Sequence, residues 1–566
     1  MNYLEQYVND VWAYSSRYNN IGSYSYAPIN LIGKYERYPA YGDFPETYFL
    51  RTYGKWWKQS GSSQKCYRFQ DCDKLVEDFV IVGFGCAVIP TDICIYEIYN
   101  PGAIIRIWGA WTVDKKWHLL WEDHPQKCDP VSRKFCPSLR KLNCLVNLIR
   151  IEFNSSYLEY HTAIDAILLG GYQPETNLQT QLANKGLLLL QPSSNDTPNV
   201  TEKEDSLQIN DKDYFSSLPN EIILKIFQYL DLKSLSRCAQ INKRWNTLCQ
   251  DQTLYQCISL KIYWHLVDTK AIEYFRKKNI NVKKLDLSWC DQGQVYGQHI
   301  LNSEYYIQLR NFLDEIKHTV THISLNDNYF VDNNIMNVIS SCHDLVELRL
   351  HNTLNWHRAP LYFSTKLVTL DLSCTHVQDL DLIKILQSTI NLEHLILDLC
   401  EGIYRMDLVL RVAIEHNRKL KTWSSWKTTS FSLESIKLFG QFLDLEELDL
   451  GWCFITNDPA DCLSEIARCR KLKRLVLSSW RSVSDEILLP IILSCKELVQ
   501  IDLMGIKGIT SEICERALYM LPKLRLLDIS FCDDVRQDEV EIWRQQYPHI
   551  KIQRSCQYTS RPTLFH

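Results

Sequence analysis

From Val282 onward, one pattern of apolar positions returns ten times. It reads VKKLDLSWC from Val282, VTHISLNDN from Val320, LVELRLHNT from Leu345, LVTLDLSCT from Leu367 and LEHLILDLC from Leu392. It weakens to LKTWSSWKT from Leu420, then recovers as LEELDLGWC from Leu445, LKRLVLSSW from Leu472, LVQIDLMGI from Leu498 and LRLLDISFC from Leu524. After a first step of 38 residues the units lie 22 to 28 residues apart. Alternating apolar residues such as Leu448 and Leu450 predict a short strand with one inward face, and runs such as DEILLPIILSCKEL from Asp485 predict a helix after it. One such unit cannot bury its apolar side alone, so the prediction is a stack that curves with the strands inside.

This spacing defines a leucine-rich-repeat array. Cysteines hold the ninth place at Cys290, Cys400, Cys453 and Cys532, and a second recurring place at Cys342, Cys469 and Cys495. They read as small buried groups, and their placement resembles the cysteine-containing subclass of these repeats. Strand positions flanking the core leucines are expected to face out: Asp286, Arg349, Asp371, Asp398, Trp426, Asp449, Val476, Asp502 and Asp528. Trp289, Trp452, Trp480 and Phe531 fall near the strand ends. Aromatics on a rigid array are frequent hot spots, so Arg349, Asp398, Trp426, Asp449, Trp452, Trp480 and Asp502 form the candidate target-binding set on the concave face.

Upstream, Tyr214 to Tyr255 reads YFSSLPNEIILKIFQYLDLKSLSRCAQINKRWNTLCQDQTLY. Ser216 or Ser217 is a candidate cap, Pro219 suits a first turn, and Ile222, Ile226 and Leu230 follow at i, i+4 and i+8 with Ile223 and Phe227 beside them. Asp231 breaks to a second helix with Leu232 and Leu235, and a third begins near Asn242 with Trp245 and Leu248. Three short helices barely make a core, so part of their apolar surface should be covered by something else. The Leu-Pro-x-Glu-Ile start, Ile-Phe-x-Tyr-Leu and Lys-Arg-Trp-Asn resemble an F-box. That resemblance implies a Skp-type adaptor as partner, hung from a cullin scaffold with its RING protein. It places Leu218, Pro219, Ile222, Ile226 and Leu230 on the adaptor side and Trp245 in the F-box core.

Between Pro174 and Asp213 the chain is polar. From Asp196 to Asp213 it holds six acidic and two basic residues and no aromatic, which predicts a solvated linker. The residues before it hold sixteen aromatics in the first sixty, then β-like runs: IVGFGCAVIP, IYEIY, AIIRIWGAW, WHLLWED, NLIRIEFN and YLEYHTAIDAILLGG. Short runs broken by Gly, Pro and Asn predict an antiparallel sandwich. Strands near Ala103–Trp108, Trp117–Trp121, Asn147–Phe153 and Asp165–Gly171 resemble a discoidin or galactose-binding-like jelly roll, with exposed aromatics around Trp56 and Trp57 as ligand candidates. Adding FLRTYGKWW from Phe49 and NPGAIIRI from Asn100, the domain order resembles the F-box and leucine-rich-repeat protein 4 family. The expected limits are 1–173 for the β-sandwich, 174–213 for the linker, 214–260 for the F-box and 261–566 for the repeats with their tail.

Composition narrows the rest. The chain has 566 residues, 46% hydrophobic, with net charge −5, which removes the electrostatic pull a nucleic-acid partner would need. The longest uncharged apolar run, Phe79 to Pro90, is too short to span a bilayer, and the first twenty residues show neither a secretory nor an Arg-rich targeting pattern. A cytosolic chain is expected, with its 21 cysteines reduced and the Asn-x-Ser/Thr triplets at Asn154, Asn195 and Asn199 unmodified. No Cys-x-x-Cys, P-loop, Gly-x-Ser-x-Gly or His-Glu-x-x-His occurs, so neither an enzyme, a metal nor a cofactor is expected. Basic clusters at Arg276–Lys278 with Lys283 and Lys284, and at Arg468, Arg470, Lys471, Lys473 and Arg474, read as solvated helix ends, with an acidic partner or anionic lipid as the alternative.

The reading is a multidomain, non-catalytic substrate receptor of a cullin-RING ubiquitin ligase, working by proximity and leading to proteasomal degradation. The family resemblance implies association with the mitochondrial outer membrane beside cytoplasmic and nuclear pools, and restraint of mitophagy by turnover of outer-membrane receptors. A homo-oligomer is a further possibility. The alternative is a non-ligase repeat scaffold or inhibitor docked by its jelly-roll domain.

Overall fold

The computed structural model describes residues 2–554 apart from 16–23, 51–75, 115, 156–160, 174–214, 216, 279, 292–302, 355, 357–361, 429, 454–459 and 481. Trp56, Trp57 and the whole predicted linker therefore lie outside the described residues.

The N-terminal part is a nine-stranded antiparallel assembly: β1 (Asn2–Tyr7), β2 (Asp10–Tyr14), β3 (Tyr48–Leu50), β4 (Asp78–Tyr99), β5 (Ile104–Ala110), β6 (Trp117–Glu122), β7 (Arg133–Phe135), β8 (Val146–Phe153) and β9 (Thr162–Gln173). β4 organises it. Its first half pairs with β2 and β8; after a register shift between Gly83 and Val88 its second half pairs with β9 and β7. The extra residues at such a shift bend a strand, which lets β4 belong to two layers. One layer is completed by β5 and β6, the other by β1 and β3. Between the layers lie Val80, Val82, Ile107, Ile149 and Ile151 from one side and Tyr48, Ile93, Ile95, Ile164 and Ile167 from the other.

One expectation is corrected here. Cys94 in β4 and Cys136 just after β7 form a disulfide, so the cysteines are not uniformly reduced. The antiparallel register of Ile95 with Phe135 brings the two together, a proximity that sequence spacing does not show.

The C-terminal part is a single parallel sheet of twelve strands in chain order, from β10 (Cys257–Ser259) to β21 (Lys551–Gln553). The ten predicted units supply the ten inner strands. One more strand at each end, in Cys-Ile-Ser and Lys-Ile-Gln, escapes the leucine pattern because end strands have one neighbour and tolerate departure from it. Helices follow most strands; among the described residues none lies between the strand at Glu347–Arg349 and the strand at Thr369–Asp371.

The eighth residue of each of the ten units has positive φ: Trp289, Asp327, Asn352, Cys374, Leu399, Lys427, Trp452, Ser479, Gly505 and Phe531. This left-handed step ends the strand and turns the chain toward the next helix. Strand-end aspartates hold the same turn. Asp286, Asp371, Asp449, Asp502 and Asp528 each accept the backbone N–H two residues on, at 2.8–3.0 Å. Ninth-position cysteines are buried as predicted, with Sγ of Cys400, Cys453 and Cys532 lying 3.0–3.3 Å from backbone carbonyls of the preceding unit.

The two parts are packed on each other. The outer face of the β2-β4-β8-β5-β6 layer presents Phe79, Ile81, Ile105, Trp108 and Leu148 to Trp264 and Trp289 at the start of the solenoid. Phe49, Ile98, Tyr99 and Ala163 meet Cys374, Leu399 and Trp426 further along. Burying a large apolar side chain gives roughly 1.5–3 kcal/mol, so some ten residues here outweigh any single polar contact across the boundary.

Candidate functional site

The helical arm precedes the solenoid as α1 (Asn220–Phe227), α2 (Leu232–Cys238) and α3 (Lys243–Leu248). The N-cap residue of α1 is Pro219, which has no side-chain cap, two positions after Ser217, and Ser216 lies outside the described residues. Asp231 caps α2 by accepting from Ser234 N at 2.7 Å, and Asn242 caps α3 by accepting from Trp245 N at 2.8 Å.

Neighbouring helical residues point about 100° apart, and α1 uses this to separate two functions. Ile223 and Phe227, 0% and 2% exposed, enter the arm's core, which runs on without a break into the solenoid core. The cover predicted for this small bundle is thus partly its own solenoid. Trp245 packs edge-on against Phe227 at 5.2 Å and Phe215 at 5.8 Å, in the core role expected of it. Tyr263 OH donates to Asp231 Oδ2 at 3.0 Å and ties the arm to the solenoid entrance.

Ile222 and Ile226 face solvent at 41% and 37% exposure. Pro219 is exposed and Leu218 and Leu230 are half-buried. Tyr229, 73% exposed, extends the stripe at i+7 from Ile222; it was missed because a tyrosine at a helix end carries no periodic signal of its own. Ile222, Ile226 and Tyr229 thus form an exposed apolar stripe along the arm.

The concave candidates stand differently. Asp286, Asp371, Asp449, Val476, Asp502 and Asp528 are buried, the aspartates against their own turns as described. Asp398 accepts from Ser424 Oγ at 2.6 Å and from Trp426 N at 2.9 Å. Arg349 is half-buried and pairs with Glu347. Trp480 takes the ninth, core position that cysteine holds elsewhere and donates from Nε1 to Leu450 O at 2.6 Å, so it is not on the outer face. Trp426 lies in the aromatic cluster under Phe49 and Tyr99, with Trp452 packed at its edge, and Lys427 Nζ lies 4.9 and 4.8 Å from the two indole rings. Gly451 makes room for Trp426: a Cβ there would stand 2.8 Å from its Cδ1. Of the candidates, Trp426 and Trp452 are gathered against the chain's own β-domain.

At the other end of that contact, the Arg150 guanidinium sits 3.7 Å from the Phe79 ring centre, 3.8 Å from Trp264 and 5.1 Å from Trp289. Glu152 Oε1 accepts from Arg150 Nε at 2.9 Å and from Trp264 Nε1 at 2.8 Å, bridging the two bodies. Burial pulls Arg150 down to about 10, with Glu152 opposing it. His265, ring centre 4.4 Å from Trp108, and His161, 3.7 Å from Phe49, are each lowered to about 4 by burial. His351 Nε2 donates to Ser15 O at 2.9 Å, and Gln553 in the last strand donates to Tyr99 OH.

The second basic cluster is largely paired. Lys471 meets Asp444, Lys473 meets Glu446, Arg468 meets Glu465 and Arg474 meets Asp449, mostly across one repeat. In the first cluster Arg276 pairs with Glu315 and Lys277 with Glu273. Among the described residues no group of three His, Cys, Asp or Glu side chains could hold a metal ion, and no helix is long and apolar enough to cross a membrane.

The helical arm coincides with the segment, residues 215–261, that matches the F-box-like family. Over its length the chain resembles the F-box and leucine-rich-repeat protein 4 family: it is 29% identical over 577 residues to F-box/LRR-repeat protein 4 of Bos taurus, covering 97% of this chain and 91% of that protein. F-box/WD repeat-containing protein 8 of Homo sapiens is 38% identical over 68 residues, 12% of this chain and 11% of that protein. An internalin structure from Listeria monocytogenes aligns with 43% of this chain and 77% of its own at 14% identity and a TM-score of 0.31, too low to bear on the fold. F-box and leucine-rich-repeat proteins serve in general as substrate-recognition subunits of ubiquitin ligases.

Proposed function

We propose that this chain is the substrate receptor of a Skp–cullin–F-box ubiquitin ligase. It would dock the adaptor through Leu218, Pro219, Ile222, Ile226 and Leu230 and bring target proteins near the loaded conjugating enzyme for proteasomal degradation. The observation that carries this is the division of α1, with Ile223 and Phe227 in the core and Ile222 and Ile226 left in solvent. Isoleucine gains nothing from that exposure unless a partner covers it. Acceleration then comes from effective concentration, with the chemistry in the RING-bound partner.

The N-terminal domain is read as a discoidin-like jelly roll; its two antiparallel layers sharing β4 support that reading. We also propose action at the mitochondrial outer membrane, on mitophagy receptors, on the strength of the resemblance to the protein 4 family. The test is co-purification with a Skp-type adaptor and cullin, beside a Leu218→Ala/Pro219→Ala/Ile222→Ala variant shown by circular dichroism to fold. The wild type should bring both partners and the variant neither. A folded wild type that captures no adaptor would overturn the proposal and favour a scaffold without ligase function.

A further inference from the structure

We propose that the N-terminal β-domain is the permanent occupant of the solenoid's strand-end rim, so that the rim is a folding interface and is not offered to target proteins. The occupant is this chain's own residues between Asn2 and Gln173, and four observations lead to it. First, the outer face of the β2-β4-β8-β5-β6 layer is built like a core. Phe79, Ile81, Ile105 and Leu148 alternate with the inward residues of their strands, so at these positions the layer is apolar on both faces. Antiparallel sheets with one wet face alternate apolar and polar residues; here Phe79–Val82 of β4 are apolar throughout, and the polar positions of β8, Arg150 and Glu152, are themselves buried.

Second, the contact spans the solenoid. It begins with Trp264 and Trp289 beside the first strands and ends with Gln553 in the last strand, which donates to Tyr99 OH. A transient visitor would need to release a whole arc at once. Third, the left-handed eighth positions supply the rim's side of the contact. Trp289, Cys374, Leu399 and Trp452 are presented by that turn, and each packs on a β-domain residue cluster. Fourth, the charged residues on the β-domain face are answered across the boundary. Arg150 lies over Trp264 and Trp289, and Glu152 accepts from Trp264 Nε1. Separation would leave Trp264, Trp289 and Trp426 in water together. The arm, solenoid and β-domain then move as one rigid body, which fixes the distance from adaptor to target.

Cys374 reports on this closure, because it belongs to the boundary cluster, while Cys290 and Cys453 belong to the solenoid core, and Cys86 and Cys128 are partly exposed. The full-length chain would be treated with N-ethylmaleimide and the labelling rate of each cysteine followed by peptide mass spectrometry. Cys374 should label with Cys290 and Cys453, at least ~100-fold more slowly than Cys86. Labelling of Cys374 at the rate of Cys86, with Cys453 still protected, would overturn the proposal. A protease site placed between residues 190 and 200 of the full chain gives a second reading. After cleavage the two parts should elute together on gel filtration, and elution as two separate species would equally overturn it. Neither reading depends on adaptor binding, so failure here leaves the ligase proposal standing, and the converse holds.

Discussion

The arm and the solenoid rim both gather large apolar side chains at a surface, and the structure treats them in opposite ways. On the arm, Ile222, Ile226 and Tyr229 stay exposed. On the rim, Trp289, Leu399 and Trp426 are buried by β-domain residues more than 130 positions away in sequence. A reading of the solenoid alone assigns its aromatics to an outside partner. With the whole chain present, those rim aromatics are covered, while Ile222, Ile226 and Tyr229 of the arm are not. Which apolar residues await a partner is therefore decided by the rest of the molecule.

The comparison predicts its sharpest contrast within α1. Ile222→Asp with Ile226→Asp should abolish adaptor capture in a pull-down while leaving the circular dichroism melting curve in place, because both side chains are already in solvent. Ile223→Asp should instead unfold the arm, since an unpaired charge would enter a core where Ile223 is fully buried. If both variants behaved alike, the division of the helix would be wrong.

At the boundary, Arg150→Ala should destabilise the chain by about 1.5–3 kcal/mol in denaturant melts, because Glu152 loses one charged hydrogen-bond partner while keeping Arg106 at 3.5 Å and the Trp264 indole, whereas Arg150→Leu should lose less than Arg150→Ala because it refills the space between the rings. Equal losses would show that charge, and not packing among the rings, holds Arg150.

His161 and His265 give the boundary a pH dependence. Burial lowers each from 6.5 to about 4, so at neutral pH both are neutral in the folded and unfolded chain alike. As pH falls below 6.5 the unfolded chain takes up protons that the folded chain refuses, and stability drops until about pH 4, where the folded side chains protonate as well. Thermal melts from pH 7 to 4 should show this fall, and His161→Phe should flatten it. An unchanged slope would exclude His161 as a contributor.

The smallest effect belongs to the charged ladder on the helix side. Lys471→Ala and Lys473→Ala should each cost at most about 1 kcal/mol, since both pairs are solvent-exposed. Binding to anionic vesicles should be absent before and after substitution. Salt-sensitive binding lost on charge reversal at these lysines would revive the lipid reading.

Much of this architecture could be read along the chain. The nine-residue pattern placed ten strands, since one side chain in every second position must meet the core. The arm's three helices followed from Asp231 and Asn242 as breaks. The strand-end aspartates were misread as outward groups because a carboxylate flanking a leucine looks solvent-facing until its turn supplies an N–H. In LIRIEF the charges alternate with isoleucines, and nothing in that run shows that Arg150 and Glu152 are buried against Trp264.

What the sequence determined by itself were the features set by short-range periodicity and by turn-forming residues: the repeat, its buried cysteines and the amphipathic arm. Those depend on contacts between neighbours in the chain, and the residues that make them lie a few positions apart. Only the tertiary structure decided that Cys94 meets Cys136, that Trp480 is a core residue, and that Arg150 reaches Trp264 and Trp289. Each of these depends on how two separately readable surfaces dock, and the burial of one apolar face against another is non-directional, so no local pattern names its partner.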